Sequence, residues 1–191
     1  AMPSLFAAHC VHLSDEEIDI LAANKVGIAH NPGSNMKLAS GVAPVARLLA
    51  KGVTVGLGTD GAASNNNLDM MEEVRLAALL QKVHTADPTA VPAMQALQMA
   101  TVLGAKALGL HEQIGTLAPG KRADLIIFNL KAPHLTPKHD LASLLVYAAS
   151  AADIETVMID GKIVMENRQL LTLDEEKIMW YAQKCAARLT T

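Results

Sequence analysis

Short apolar runs, small polar stretches and amphipathic runs follow one another along the first half of the chain, and the series repeats. Val53-Thr54-Val55-Gly56-Leu57 has the length and character of a buried strand. It passes through Gly58-Thr59-Asp60-Gly61-Ala62-Ala63-Ser64-Asn65-Asn66 into 68–83, where Met71, Val74, Leu76, Ala78, Leu79 and Val83 recur among charged residues, as a sheet-covering helix requires. Leu5-Phe6-Ala7-Ala8-His9 begins another unit, and Ser14 with Glu17 spells a capping box for the helix after it. Between the two, Val26-Gly27-Ile28-Ala29-His30 leads through Asn31-Pro32-Gly33-Ser34-Asn35 to a helix over 42–51 that Gly52 ends. Right-handed crossovers between such units make the strands parallel and place the three polar loops on one rim. His9, His30 and Asp60 then share that rim.

Beyond the third unit the pattern changes. Pro88 and Pro92 punctuate the chain, and 93–108 reads as one or two helices broken near Gly104. A β-rich run at 123–130 follows the Pro119-Gly120 turn, and 139–149 reads as helix. The runs 155–159 and 162–166 flank Asp160-Gly161, a strong hairpin signal, and 174–189 closes as a terminal helix.

Charge and composition narrow the partners. Sixteen Lys and Arg against nineteen Asp and Glu give a net charge of −3, which leaves no electrostatic case for nucleic acid. No apolar stretch reaches the ~20 residues of a membrane span, and Ala1-Met2-Pro3-Ser4 carries no basic leader, so no signal peptide is expected. Cys10 and Cys185 are the only cysteines; two unpaired thiols suit a reducing compartment, hence the cytoplasm.

Asp60 carries the candidate chemistry. It is a carboxylate at the C-terminal mouth of a parallel strand, where α/β barrels keep their reacting groups, on a loop whose small side chains let a metal or flat substrate approach the backbone. The competing reading is a loop whose Asp and Asn residues cap the next helix. His9 is either a site residue or a packed histidine. His12 would point the other way if the strand continued that far. His30 either lines the pocket or fixes the Asn31-Pro32-Gly33 turn, and Asn65 and Asn66 read as loop and cap residues. His84, His111, His134 and His139 look like surface or loop positions, and Lys121 and Asp124 serve the turn into the second sheet.

His9-Cys10-Val11-His12-Leu13, His30-Asn31-Pro32-Gly33-Ser34-Asn35-Met36-Lys37-Leu38 and Gly58-Thr59-Asp60-Gly61-Ala62-Ala63-Ser64-Asn65-Asn66 resemble the last three strand ends of the metal-dependent amidohydrolases, within which 5′-methylthioadenosine/S-adenosylhomocysteine deaminases are the most similar group. Gly115-Thr116-Leu117-Ala118-Pro119-Gly120-Lys121-Arg122-Ala123-Asp124-Leu125 resembles the entry of such chains into their small β-domain. The resemblance implies an α/β fold: strands six to eight of a (β/α)₈ TIM barrel over 1–112, part of a composite β-sandwich over 113–173 with an inserted helix at about 139–149, and a terminal helix over 174–191. A complete barrel takes roughly 250 residues, and this chain has 191. The family's His-x-His pair and its His-x-x-Glu pair are both missing, so the chain is expected to be the C-terminal portion of a larger enzyme, inactive alone and stable only against the absent barrel segment.

By the same resemblance the complete enzyme is a zinc-dependent deaminase of an adenine nucleoside. Asp60 is its metal ligand, proton relay and substrate contact, His9 orients the attacking oxygen or, with a differently occupied site, ligates the metal directly, and His30 is a second substrate-binding residue. One carboxylate and one histidine do not discriminate among divalent ions, so iron and manganese stay open beside zinc. The partners implied are a small purine nucleoside, the missing N-terminal barrel segment and further copies of the chain in a homo-oligomer. A guanine deaminase, a triazine-type chlorohydrolase and a truncated non-catalytic homologue are the alternatives.

Overall fold

The computed structural model describes residues 5–189, so the leader reading at Ala1-Met2-Pro3-Ser4 lies outside the described residues. Strands β1 (Phe6–Ala8), β2 (Gly27–His30) and β3 (Thr54–Leu57) form a parallel sheet in that order. Phe6 lies opposite Gly27, and Gly27 opposite Thr54, which brings the three C-terminal ends to one edge.

The predicted units appear with shifted boundaries, each for a local reason. Helix α1 (Asp15–Ala23) starts from the expected capping box: Ser14 Oγ accepts from the Glu17 N–H and Glu17 Oε2 from the Ser14 N–H. The polar stretch after β2 is itself helical, as α2 (Pro32–Lys37), because Pro32 supplies a helical φ at the first turn. Helix α3 (Val45–Ala50) is shorter than 42–51, with Pro44 at its N-cap. After β3 comes the short α4 (Ala62–Asn65). Helix α5 (Met70–Thr85) cannot begin at residue 68, since Leu68 holds φ 53°; Asp69 Oδ1 caps it by accepting from the Met71 and Glu72 N–H groups.

The 93–108 run is two helices, α6 (Ala93–Ala100) and α7 (Val102–Ala107), and the break falls at Thr101 rather than Gly104. Gly104 serves packing instead. A Cβ on Gly56 would lie 2.8 Å from Gly104 Cα, so strand and helix meet backbone to backbone. Ile28 and Val55 are paired across the sheet and join Ile18, Leu48, Val74, Ala77, Ala96 and Met99 in the core. By strand alternation Gly27 and Gly56 point to the other face, which α7 covers.

The second sheet is antiparallel, in the order β4 (Leu125–Phe128), β5 (Ile154–Ile159), β6 (Lys162–Glu166) and β7 (Gln169–Leu170). Its Asp160-Gly161 turn has both φ values positive, at 51° and 76°, as a two-residue hairpin requires. Asp124 Oδ1 accepts from the Asp160 N–H, so it ties the start of β4 to this hairpin turn rather than to the turn into the sheet. Helix α8 (Leu141–Tyr147) packs on α5 and α6 and is tied down by Arg75, whose guanidinium donates to the Val146 and Ala149 carbonyls. Helix α9 (Glu175–Leu189) buries no residue. Among the described residues no helix is long and apolar enough to cross a membrane.

Candidate active site

At the end of β1 the chain turns sharply. His9 and Cys10 hold φ 64° and 49°, and across the rim Asp60 holds φ 62°. Non-glycine residues seldom take this left-handed conformation, and it gathers where the surrounding structure has a reason to over-determine it. The turn is pinned by the His9 N–H, which donates to the Ala29 carbonyl at 2.9 Å.

Helix α2 addresses both side chains. Ser34 Oγ donates to Asp60 Oδ2 at 2.7 Å, and Ser64 Oγ donates to the same oxygen at 2.6 Å. These bonds, Ser64's first and Ser34's second, with a smaller backbone contribution from Gly61 and the least from His9, hold the Asp60 carboxyl down at about 2. It is ionised throughout the neutral range. Asn35 Oδ1 lies 2.8 Å from His9 Nδ1. With that amide oxygen as acceptor, Nδ1 carries the proton and Nε2 keeps its lone pair. Nε2 lies 3.8 Å from Asp60 Oδ2.

His30 is different in kind. It is fully buried and neither ring nitrogen has a hydrogen-bond partner, a condition it shares with the neighbouring Asn31 Oδ1 and Asn35 Nδ2. Burial first, and the nearby His9 second, push it down to about 4, so the ring is neutral. Alternation puts it on the same face of the sheet as Ile28. The sequence-derived rim of three residues is therefore a facing pair, His9 and Asp60, with His30 enclosed.

Four participants escaped the sequence reading: Ser34, Asn35, Ser64 and Glu73. The three small polar residues sit in stretches read only as loop. Glu73 had a legible signal, since it falls on the same face of α5 as the apolar Ala77, and only 1% of it is exposed. Its Oε2 accepts from the Gly33 N–H at 2.9 Å and its Oε1 from Asn65 Nδ2 at 2.8 Å, while burial pushes its carboxyl up. Asn65 in turn accepts from the Leu68 N–H. The other histidines stand apart: His12, His84 and His139 are exposed, His111 pairs with Glu112, and His134 pairs with Asp153. Among the described residues no three His, Cys, Asp or Glu side chains gather as a metal-binding group.

The chain is similar to known proteins along nearly its whole length. The chain is 63% identical over 185 residues to a 5-methylthioadenosine/S-adenosylhomocysteine deaminase of Pelotomaculum thermopropionicum, a match that covers 97% of this chain and 42% of that protein. It is 56% identical over 187 residues to a 5′-deoxyadenosine deaminase of Methanosarcina acetivorans, covering 98% of this chain and 43% of that protein. The chain thus spans less than half the length of the curated relatives it matches. Among solved structures, a zinc-bound adenosine deaminase from Xanthomonas campestris superposes with a TM-score of 0.96 at 39% identity, over 99% of this chain and 43% of that one. An atrazine chlorohydrolase from Arthrobacter aurescens, complexed with zinc, superposes with a TM-score of 0.85 at 32% identity, over 94% and 40%. The sequence profile of the amidohydrolase family matches residues 2–164, and the chain belongs to that family.

Proposed function

We propose that this chain is the C-terminal portion of a zinc-dependent hydrolytic deaminase that converts the adenine amine of 5′-methylthioadenosine or S-adenosylhomocysteine to an inosine-type product and ammonia. One observation carries the reading: Asp60 Oδ2 and His9 Nε2, on the loops after β3 and β1 at the C-terminal edge of a parallel sheet, lie 3.8 Å apart. In this reading β1, β2 and β3 are barrel strands six to eight within 1–112. Residues 113–173 supply part of a β-sandwich carrying α8, and a terminal helix begins at about 174. The 5′-methylthioadenosine-type relative at 63% identity and the adenosine deaminase at a TM-score of 0.96, against 0.85 for the triazine enzyme, favour an adenine nucleoside over guanine or triazine substrates.

The residues present fit part of a zinc site. Asp60 offers an anionic oxygen that two serine hydroxyls keep deprotonated, and His9 Nε2, the ring nitrogen that Asn35 does not engage, lies beside it. Zinc takes three or four protein ligands, so the remainder would come from the N-terminal barrel segment. Asp60 is the ligand in this reading. Zinc there would lower the pKa of water towards ~7. Asp60 accepts the proton released by the attacking oxygen and returns it to the departing amine. His9, with Nδ1–H committed to Asn35, orients that oxygen by accepting from it through Nε2. His30 is either a substrate contact or a packing residue behind the Asn31-Pro32-Gly33 turn; its enclosure supports the second role, although neither ring nitrogen bonds to that turn. A cytoplasmic location and a homo-oligomeric state belong to the same proposal.

The test is a completed enzyme in which the N-terminal portion of the Pelotomaculum relative precedes residues 1–191, loaded with zinc. The absorbance change from adenine to hypoxanthine should appear with 5′-methylthioadenosine, S-adenosylhomocysteine or both, and residues 1–191 alone should give none. Turnover of guanine or a chlorotriazine without any of these nucleosides would overturn the substrate assignment.

A further inference from the structure

We propose that Glu73 is a positioning residue of this site: its buried carboxylate ties the segment after β2 to the segment after β3, and so sets Ser34 and Asn35 against Asp60 and His9. The inference rests on the reading of Asp60 and His9 as the reacting pair.

A carboxylate on the core-facing side of α5 is costly, because a charge withdrawn from water is tolerated only with good hydrogen-bond donors. Stability alone would favour leucine or methionine at such a place. The donors Glu73 does meet are informative, for each comes from one of the two segments that make the site. On one side it takes the Gly33 N–H. The next two residues are Ser34, which donates to Asp60 Oδ2, and Asn35, which holds His9 Nδ1. On the other side it takes Asn65 Nδ2, beside Ser64, the second donor to Asp60 Oδ2.

The packing is made for this contact. A Cβ on Gly33 would lie 2.2 Å from Glu73 Oε1 and 2.9 Å from Asn65 Nδ2, so residue 33 must lack a side chain for the carboxylate to reach the backbone. Lys37 adds a surface tie between the same two segments by donating to the Ala63 carbonyl, but it is exposed, and solvent competes with it. The three hydrogen bonds that the Asp60 and His9 side chains make with other side chains thus all come from residues within two positions of a Glu73 contact.

The chemistry of an amide makes the test sharp. In Glu73→Gln one terminal atom can still accept from Gly33 or Asn65, but the other is an NH₂ that faces a donor. Adding Asn65→Asp reverses the second bond, so that Gln donates to a carboxylate and both ties are restored. In the completed enzyme, Glu73→Gln should lower kcat by about 10- to 100-fold with a far smaller change in KM, the order expected when reacting groups shift by about 1 Å. The double substitution should recover most of that loss. The ¹⁵N shifts of the His9 ring should report the Nδ1–H tautomer in the unaltered and doubly substituted proteins and a mixture in Glu73→Gln, while those of His84 stay unchanged.

Unaltered kcat in Glu73→Gln would overturn the proposal, as would an unchanged His9 signature. If Glu73→Gln does not fold, the double substitution decides: turnover and tautomer restored support the tie, and a folded protein with neither restored refutes it. Failure of the underlying deaminase reading looks different, since the unaltered protein would then turn over no adenine nucleoside. The His9 shifts, mixed in Glu73→Gln and restored in the double substitution, would still decide whether the tie exists.

Discussion

The parallel layer and the antiparallel sheet are built from equally clear hydrophobic patterns, yet only β2 and β3 of the first have their apolar faces covered, while its edge strand β1 leaves Phe6 46% exposed. Ile28 and Val55 are 1% and 0% exposed, closed in by helices on one face of the sheet while α7 takes the other. In β4, Ile126 and Ile127 stand 46% and 50% exposed, and α9 leaves Trp180 at 57%. Periodicity specifies an element; burial needs a second surface. Exposed apolar side chains of this kind are places where another polypeptide can pack, and the composite sandwich proposed above would give that role to the N-terminal portion. Asp60 follows β3, where the layers close, and His9 follows β1, the open edge of the same sheet.

Truncating Leu48, fully buried in the closed region, should lower the unfolding free energy of the completed enzyme by about 2–5 kcal/mol in urea titrations. Ile127→Ala sharpens the contrast. If the N-terminal portion covers β4, it should cost ~2 kcal/mol or more in the completed enzyme; a loss below about 0.5 kcal/mol would mean that the face stays open to water. Gly56→Ala should cost ~1–3 kcal/mol, because the new methyl group meets the α7 backbone. Ser14→Ala removes half of a capping box on an exposed helix start and should cost ~1 kcal/mol, read as a lower denaturation midpoint.

Two carboxylates, one in each region, give pH effects of opposite sign. Glu73 is pushed above its ordinary 4.5 by burial, against the pull of the Gly33 and Asn65 bonds. The folded protein holds that proton more tightly than the unfolded chain, so stability falls as pH rises from 4.5 through the folded value. Burial also pushes Asp153 up, but bonds from the Ser150 N–H, the His134 ring and the Ser150 hydroxyl outweigh it and leave the carboxyl below 3.8. Its contribution is complete above 3.8 and is lost as pH falls through the lower folded value. Unfolding free energies measured from about pH 3 to about pH 6 should lose the falling limb in Glu73→Gln and the rising acid limb in Asp153→Asn.

The sequence carried the three βα units, the Ser14-Glu17 capping box and the Asp160-Gly161 hairpin, because each is specified by residues adjacent in the chain. Asp60 and His9 stood out for the same reason, as polar residues ending apolar runs. What stayed hidden depends on tertiary approach. The left-handed conformations of His9 and Asp60 turn those residues toward each other, and nothing in the local sequence demands them. Ser34 and Ser64 lie far apart in the chain and meet only on Asp60 Oδ2. The break at Thr101 rather than Gly104 follows the same rule, since Gly104 is there for contact with Gly56.

The most direct test of the account is Asp60→Asn in the completed enzyme, measured for zinc content after dialysis and for turnover of 5′-methylthioadenosine with zinc restored. The substitution keeps the side chain's size while it removes the charge and the proton acceptor. Zinc retention should fall, and turnover should stay ~10²–10⁴-fold low even at full occupancy. His9→Gln beside it should keep its zinc and lose turnover, and His12→Gln should change neither. A zinc-loaded Asp60→Asn enzyme with unaltered turnover would contradict the assignment of Asp60 as the proton-relaying carboxylate.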